Sequence, residues 1–465
     1  MTQINMKHGL DLKIKGRIES SEIRTLNLST RVAIRPSLLE GIKVRLLVAE
    51  GQKVKTGTPL VCAKKNPEIC LVSPATGTVA SIQRGHRRVL DLVVIRTEST
   101  DQYEEENPGY SLEQIATLKG EEILKKILKA GLWPAFRQFP HDIIADPESQ
   151  PKGIFISTFN KEPFATDPHI LIGEGNSSGT GHFIFGLEVL NALLPGRVNL
   201  VHCHDFSAIP LAKTVANYPK ANHHHIKGKY PSHHAGVHIY HLDPLSQGEH
   251  IWYLDPQDII AIGELFRNGK LSHERVIAVC GSAAKNTGYV RVRDGSPIEH
   301  VVRDFVEHGK VPDIRFIMGG IFSGTRSDYN NYLDHRNYSL HMIPEGEDRR
   351  LFSFMRPGFD RYCYSPLYIS AILPETDWEL SSSKKGGVRA CINCGTCETV
   401  CPVEILPQFL FKSVLAEDFE EMEKHFILDC SSCGLCTYVC PSKIEIASII
   451  KEGMNLILKE EEASE

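Results

Sequence analysis

The spacing of hydrophobic positions changes along the chain, and each change marks a different kind of unit. Up to residue 100 the apolar residues come in short β-rich runs, such as 43–48 and 91–95, separated by Gly51, Gly57, Gly77 and Gly85. This pattern predicts an all-β unit over 1–100. The polar, breaker-rich stretch 99–109 predicts a linker. A helical stretch over 111–130 then opens a region where strands (153–157, 198–201) mix with amphipathic runs, which predicts an α/β unit over 112–255. Between 256 and 325 a helix (258–266) precedes short strands (276–281, 288–292, 316–320) around a second helix (297–307), the pattern expected of a small β-grasp unit. Residues 326–384 read as a connecting β/loop region, and 385–455 as a helical module. There, Leu406, Phe409, Leu410 and Val414, then Phe419, Met422 and Phe426, recur at helical spacing as expected buried faces. Pro407 suits a first turn, and Asp418 with Glu421 suits a cap. Two antiparallel helices fit, but so does one continuous helix, because no Gly or Pro interrupts 408–429. The expected fold class is therefore multidomain α+β.

Composition narrows the function classes. Of 465 residues 42% are hydrophobic and 23% charged, ordinary for a globular chain and unlike a disordered or fibrous one. The formal net charge is 52 − 57 = −5 without a basic block, so nothing favours nucleic acid as a partner. No apolar run approaches the ~18–20 residues of a transmembrane helix, and the start lacks the apolar core of a secretory signal. The expectation is a cytosolic chain with no transmembrane segment of its own.

Thirteen cysteines change the picture. Cys62, Cys70, Cys203, Cys280 and Cys363 are scattered and read as ordinary buried thiols, whereas eight crowd into 391–440. Cys391, Cys394, Cys397 and Cys401 are followed by Pro402, and Cys430, Cys433, Cys436 and Cys440 by Pro441; both runs follow C-x2-C-x2-C-x3-C-P. Three thiolates at this spacing wrap one cubane and leave one iron without a ligand. In two-cluster ferredoxins the fourth cysteine of each run supplies it to the other cluster. The expected sets are Cys391, Cys394 and Cys397 with Cys440, and Cys430, Cys433 and Cys436 with Cys401, holding two [4Fe–4S] clusters. Gly395 and Gly434 stand where a missing side chain lets backbone approach sulfide. Disulfides would need an oxidising compartment, and structural zinc seldom repeats this octet.

Other motifs are weaker. Residues 51–60 and 73–79 resemble the barrel-sandwich hybrid of biotinyl and lipoyl carriers, with Lys64 or Lys65 near the carrier lysine's place, but the flanking acidic and methionine residues are missing. The glycine-rich stretch 173–181 has neither dinucleotide-binding spacing nor a P-loop lysine, and reads as a plain loop. Seven histidines between His223 and His241 suggest a metal, yet Gly236 lies between His234 and His238, and 237–240 looks like a strand. A polar loop is expected there.

The opening residues 7–16, the turn 64–67, and segments 84–90, 233–236, 238–244 and 257–261 resemble the NqrA family of the sodium-translocating NADH:quinone oxidoreductase, and the likeness runs along nearly the full length. Gly281 and 318–320 are similar to the soluble-ligand-binding β-grasp (SLBB) domain shared with the RnfC subunit of the related Rnf complex. Many NqrA sequences lack most of the ferredoxin cysteines; this chain carries all eight, as the Rnf subunit does. The resemblance implies a peripheral subunit on the cytoplasmic face of the bacterial inner membrane, within a complex that passes electrons from NADH to ubiquinone while exporting sodium. It implies the other subunits as partners and quinone at or near the interface. Hydride acceptance belongs to a different subunit of that complex, in keeping with the lack of a dinucleotide fingerprint here. Two alternatives stay open: a Rnf-like subunit moving electrons between NADH or flavin and ferredoxin, and a non-redox scaffold.

Overall fold

The computed structural model describes residues 2–39, 42–104, 108–204, 209–307, 309–335, 337–346, 359, 362–373, 377–382 and 387–464. Part of the expected linker (105–107) and much of the expected connecting region (347–358) lie outside the described residues.

Two small sheets pack face to face near the N-terminus. Strands Arg31–Ile34, Leu90–Thr97, Gly77–Arg84 and Lys53–Val54 form one, and Val44–Leu46, Pro59–Ala63 and Cys70–Val72 the other. Val32, Leu60, Val61, Val79, Val93 and Ile95 fill the space between them. Lys64 and Lys65 lie exposed on a turn between two strands. Cys62 and Cys70 are cross-strand neighbours joined by a disulfide, which corrects the expectation of free thiols for these two.

The α/β unit is a seven-stranded sheet ordered Thr2–Asn5, Asn222–Lys227, Val198–Cys203, Ile154–Ser157, Ile251–Leu254, Arg137–Phe139, Ile143–Ile144. The first five are parallel, Arg137–Phe139 runs antiparallel to them, and Ile143–Ile144 pairs antiparallel with Arg137–Phe139. The chain runs outward from Ile154–Ser157 through two strands and then returns to lay Ile251–Leu254 on its other side. That reversal leaves a crevice at the carboxyl ends of these two strands. Alternation along the strand gives the sheet two loaded faces. Ile154 and Ile156 join the core beneath helices Ser177–Leu193 and Pro256–Asn268, while Phe155 joins the core shared with the cysteine-rich module.

Several boundaries move. Thr2–Asn5 extends the α/β sheet and Ile23–Thr25 extends the next one, so the N-terminal unit does not hold all of 1–100. Helix Pro256–Asn268 is fixed by an Asp255 cap, Pro256 in its first turn and Gly269 at its end, and buries Ile259, Ile262 and Phe266 against the α/β sheet rather than in the next unit, where it was expected. The next sheet runs Thr325–Ser327, Ile314–Met318, Ser339–Pro344, Glu274–Cys280, Gly288–Arg293, Ile23–Thr25, with the short helix Ile298–Val302 in its core. Ser339–Pro344 is thus an interior strand, not a connector. The expected strand at 237–240 is part of helix Ala235–Leu242, because Val237 and Ile239 serve a core and His238 Nε2 bonds the Ser232 carbonyl at 2.8 Å. The histidine run is therefore not a loop: His223, His224 and His225 lie on strand Asn222–Lys227. Likewise, Gly179 and Gly181 belong to the start of helix Ser177–Leu193, which Asn176 caps at the Gly179 N–H.

Candidate iron–sulfur centre

Between the cysteine runs the chain forms two helices, Pro407–Leu415 and Phe419–Lys424, the second capped by Asp418 at the Glu421 N–H. Leu410, Val414 and Met422 are buried, but Phe409 and Phe426 face solvent, which corrects part of the expected apolar faces. The two cysteine runs repeat at an offset of 430 − 391 = 39 residues, and the backbone repeats with them. Asn393 and Ser432, Gly395 and Gly434, and Glu404 and Lys443 all have positive φ at that offset. Short helices follow at Thr396–Thr399 and Leu435–Tyr438, then longer ones from Pro407 and Ile446. Gly395 and Gly434, at φ 72° and 78°, occupy the left-handed region where a Cβ is penalised.

Cysteines of the two runs face one another across the module. Burial pushes the Cys401 thiol up to about 12, with Cys433 and Cys430 as its charged neighbours. Burial likewise pushes Cys397 up to about 11, and its neighbours are Cys394 and Cys440. The fourth cysteine of each run thus stands beside the other run. Backbone N–H groups of Val403 and Ile405 reach Cys401, that of Ser432 reaches Cys430, and that of Leu435 reaches Cys433, each lowering the thiol against burial. This donor set fits iron–sulfur ligation: soft sulfurs in two triads, with amide N–H groups aimed at them. Burial favours the protonated thiols, so any iron held by these cysteines would also have to supply the charge that deprotonates them. In the first run Cys394 is exposed, Cys391 half-buried and Cys397 and Cys401 buried; in the second Cys433 is buried and Cys430, Cys436 and Cys440 are half-buried.

The module is not an appendage. Cys397, Cys401, Val403, Leu410, Ile450 and Met454 share one core with Phe155, Val201, Val237 and Ile251 of the α/β unit. Side chains from outside the module bond the carbonyls of the cysteine loops. His8 Nδ1 meets Thr399 O at 3.0 Å, His241 Nε2 meets Pro402 O at 3.0 Å, and His234 Nδ1 meets Ser431 O at 3.1 Å. Tyr230 donates its hydroxyl to Cys433 O at 2.7 Å. The histidine-rich segment therefore holds the ferredoxin loops in place. Sequence reasoning found no such role, since only its His density was visible and the partners lie some 160 to 200 residues away.

A cavity of about 520 Å³ lies in the crevice where the sheet reverses. Ser157 and Leu254 line it at the strand ends, Gly319 and Gly320 from the loop after strand Ile314–Met318, and Cys430 and Ser432 from the second cysteine run. Among the described residues no helix is long and apolar enough to cross a membrane.

Three family models match the chain: the NqrA N-terminal barrel-sandwich hybrid domain over 4–98, the NqrA second alpha/beta domain over 118–271, and a 4Fe-4S dicluster domain over 390–445. The chain is 32% identical to the NqrA protein of the Na(+)-translocating NADH-quinone reductase of Saccharophagus degradans, covering 98% of this chain and 100% of that one. Identity to the same protein of Yersinia pestis and of Pseudomonas aeruginosa is also 32%, covering 90% of this chain and 91% of each. With full-length relatives of one kind and an iron–sulfur domain of its own, the chain belongs to the NqrA family, subunits of the Na+-translocating NADH-quinone reductase, an oxidoreductase complex associated with the membrane.

Proposed function

We propose that this chain is a peripheral electron-transfer subunit on the cytoplasmic face of the membrane, in a complex that reduces ubiquinone with electrons from NADH and exports Na+. In this reading it holds two [4Fe–4S] clusters, one by Cys391, Cys394, Cys397 and Cys440, the other by Cys430, Cys433, Cys436 and Cys401. The observation that carries it is the complete octet, repeated at 39 residues, in a chain otherwise similar to NqrA throughout. When bound, such clusters supply one-electron storage and transfer. The chain's own residues give the two sites different surroundings. The first run exposes Cys394, where another subunit of the complex can approach. The second is enclosed by Tyr230, His234 and the Phe322 loop, which excludes water from Cys433.

Anaerobic purification followed by iron analysis and low-temperature EPR tests the reading, with about eight iron atoms per chain expected and fewer than about four refuting it. Replacing Cys433 by Ser should abolish quinone reduction in a complex that still assembles; retained activity would support a scaffold instead. A second reading, in which the chain itself takes electrons from a flavin or NADH as in the Rnf complex, is favoured by the cavity beside Cys430. A flavin absorption band that survives purification distinguishes it.

A further inference from the structure

On one wall of the cavity three potential metal ligands meet, an arrangement that the proposed clusters do not require. Glu162 comes from the turn after strand Ile154–Ser157, and His233 and His234 from the turn that opens helix Ala235–Leu242. One carboxylate oxygen and one nitrogen from each imidazole all lie within 4.8 Å of one another. Three atoms so confined lie at most roughly 2.8 Å from a common centre, so a contraction of well under ~1 Å brings them to the ~2.0–2.2 Å of metal–nitrogen and metal–oxygen bonds.

The surroundings favour a cation over a hydrogen-bonded cluster. Among the described residues the half-buried Glu162 carboxylate takes only a long 3.4 Å bond from Ser323 Oγ, a weak partner for a carboxylate on a cavity wall. His233 Nδ1 is buried without a hydrogen-bond partner. His234 donates Nδ1–H to Ser431 O at 3.1 Å, which leaves Nε2 unprotonated in the neutral ring, the arrangement that orients a ligating histidine. The two rings meet edge to face with centroids 4.5 Å apart, and Tyr230 packs on both.

We propose that Glu162, His233 and His234 bind a single divalent first-row transition-metal ion, separate from the iron–sulfur sites. Two imidazoles and one carboxylate suit Zn2+ with a water as fourth ligand, and the same set suits Fe2+. The open position faces the cavity. The ion ties the α/β unit to the loop at Gly320 and Ser323, and through His234 to the second cysteine run.

The test uses the full-length, tag-free chain with its clusters loaded and iron content verified, titrated anaerobically with Zn2+ after chelator treatment too mild to remove cluster iron. One Zn2+ per chain is expected in addition to the iron. Glu162→Gln and His233→Ala should each lose that equivalent at micromolar Zn2+ while keeping full iron. Gly320→Ala removes no ligand, but its Cβ would overlap Glu162 Oε1, so it must displace the carboxylate and should weaken binding by about 10–100-fold. X-ray absorption at the zinc edge of the unaltered protein needs no variant and should give nitrogen and oxygen neighbours only. No Zn2+ uptake by the loaded protein, unchanged uptake in the variants, or sulfur in the zinc shell would each overturn the proposal.

Discussion

The 39-residue repeat offers an internal control, because the same substitution can be made at two positions with equal backbone and unequal surroundings. Gly395 and Gly434 have φ of 72° and 78°. A Cβ at Gly395 meets nothing within 4 Å, whereas one at Gly434 would lie 2.8 Å from the Phe322 carbonyl oxygen and 3.0 Å from its Cβ. Alanine at either position incurs the left-handed penalty of about 1–2 kcal/mol, partly offset by the lower entropy of the unfolded chain. Only at Gly434 is there also overpacking, about 1–3 kcal/mol, since the contact is with backbone and a ring stem rather than a flexible tip. The difference corresponds to roughly 5–150-fold in the population of the opened loop. The assay is iron release from the anaerobic protein into a colorimetric chelator, where two clusters should give two kinetic phases. Gly434→Ala should accelerate one phase by that factor beyond anything Gly395→Ala does to either, leaving the other phase near its original rate. Equal acceleration by both substitutions would refute the idea that packing of the Phe322 loop on the second cysteine run stabilises it.

Ligand crossing can be read from a double variant: Cys394→Ser with Cys401→Ser should leave iron near zero if the fourth cysteines serve opposite clusters, and about half the iron if they do not. His202 and His238 are held at about 3 by burial, far below the ~6.5 of an exposed histidine. Below that value the unfolded chain binds protons that the folded chain refuses. Stability should therefore be full above pH 6.5 and fall by about 1 kcal/mol per pH unit per histidine as pH drops towards 3. Urea midpoints at pH 7, 6 and 5 check this, and His238→Gln, which keeps a donor for Ser232, should flatten the slope; a flat profile in the unaltered protein would be the contrary result. Finally, His241→Leu removes the donor to Pro402 O and should raise hydrogen exchange of 401–405 about five-fold, the equivalent of ~1 kcal/mol, without loss of iron.

What was legible in the sequence was local. The cysteine spacings, the prolines that close each run and the Asp418 cap are set by atoms a few residues apart, whereas the positive φ of Gly395 and Gly434 came only with the backbone. The errors were of the opposite kind. Residues 237–240 carry a strand-like alternation, yet a helix forms because the apolar faces of Val237 and Ile239 are claimed by a core whose other members lie as far away in sequence as Met6 and Ile457. Thr2–Asn5 and Ile23–Thr25 gave no sign of leaving their neighbours, because joining the edge of another sheet needs only extended backbone, and many short segments can provide that.

The sequence by itself thus determined that iron–sulfur chemistry belongs at 391–440, since three of the four proposed ligands of each cubane fall within seven consecutive residues. Only the tertiary structure decided what surrounds it: a strand-order reversal that opens a cavity beside Cys430, and histidines from distant segments that hold the cysteine loops. It also decided that Glu162 should face His233 and His234. The physical reason is that a carboxylate and two imidazoles 71 and 72 residues away (233 − 162 and 234 − 162) carry no mutual periodicity. Their meeting depends on how a parallel sheet reverses direction and which module packs against it.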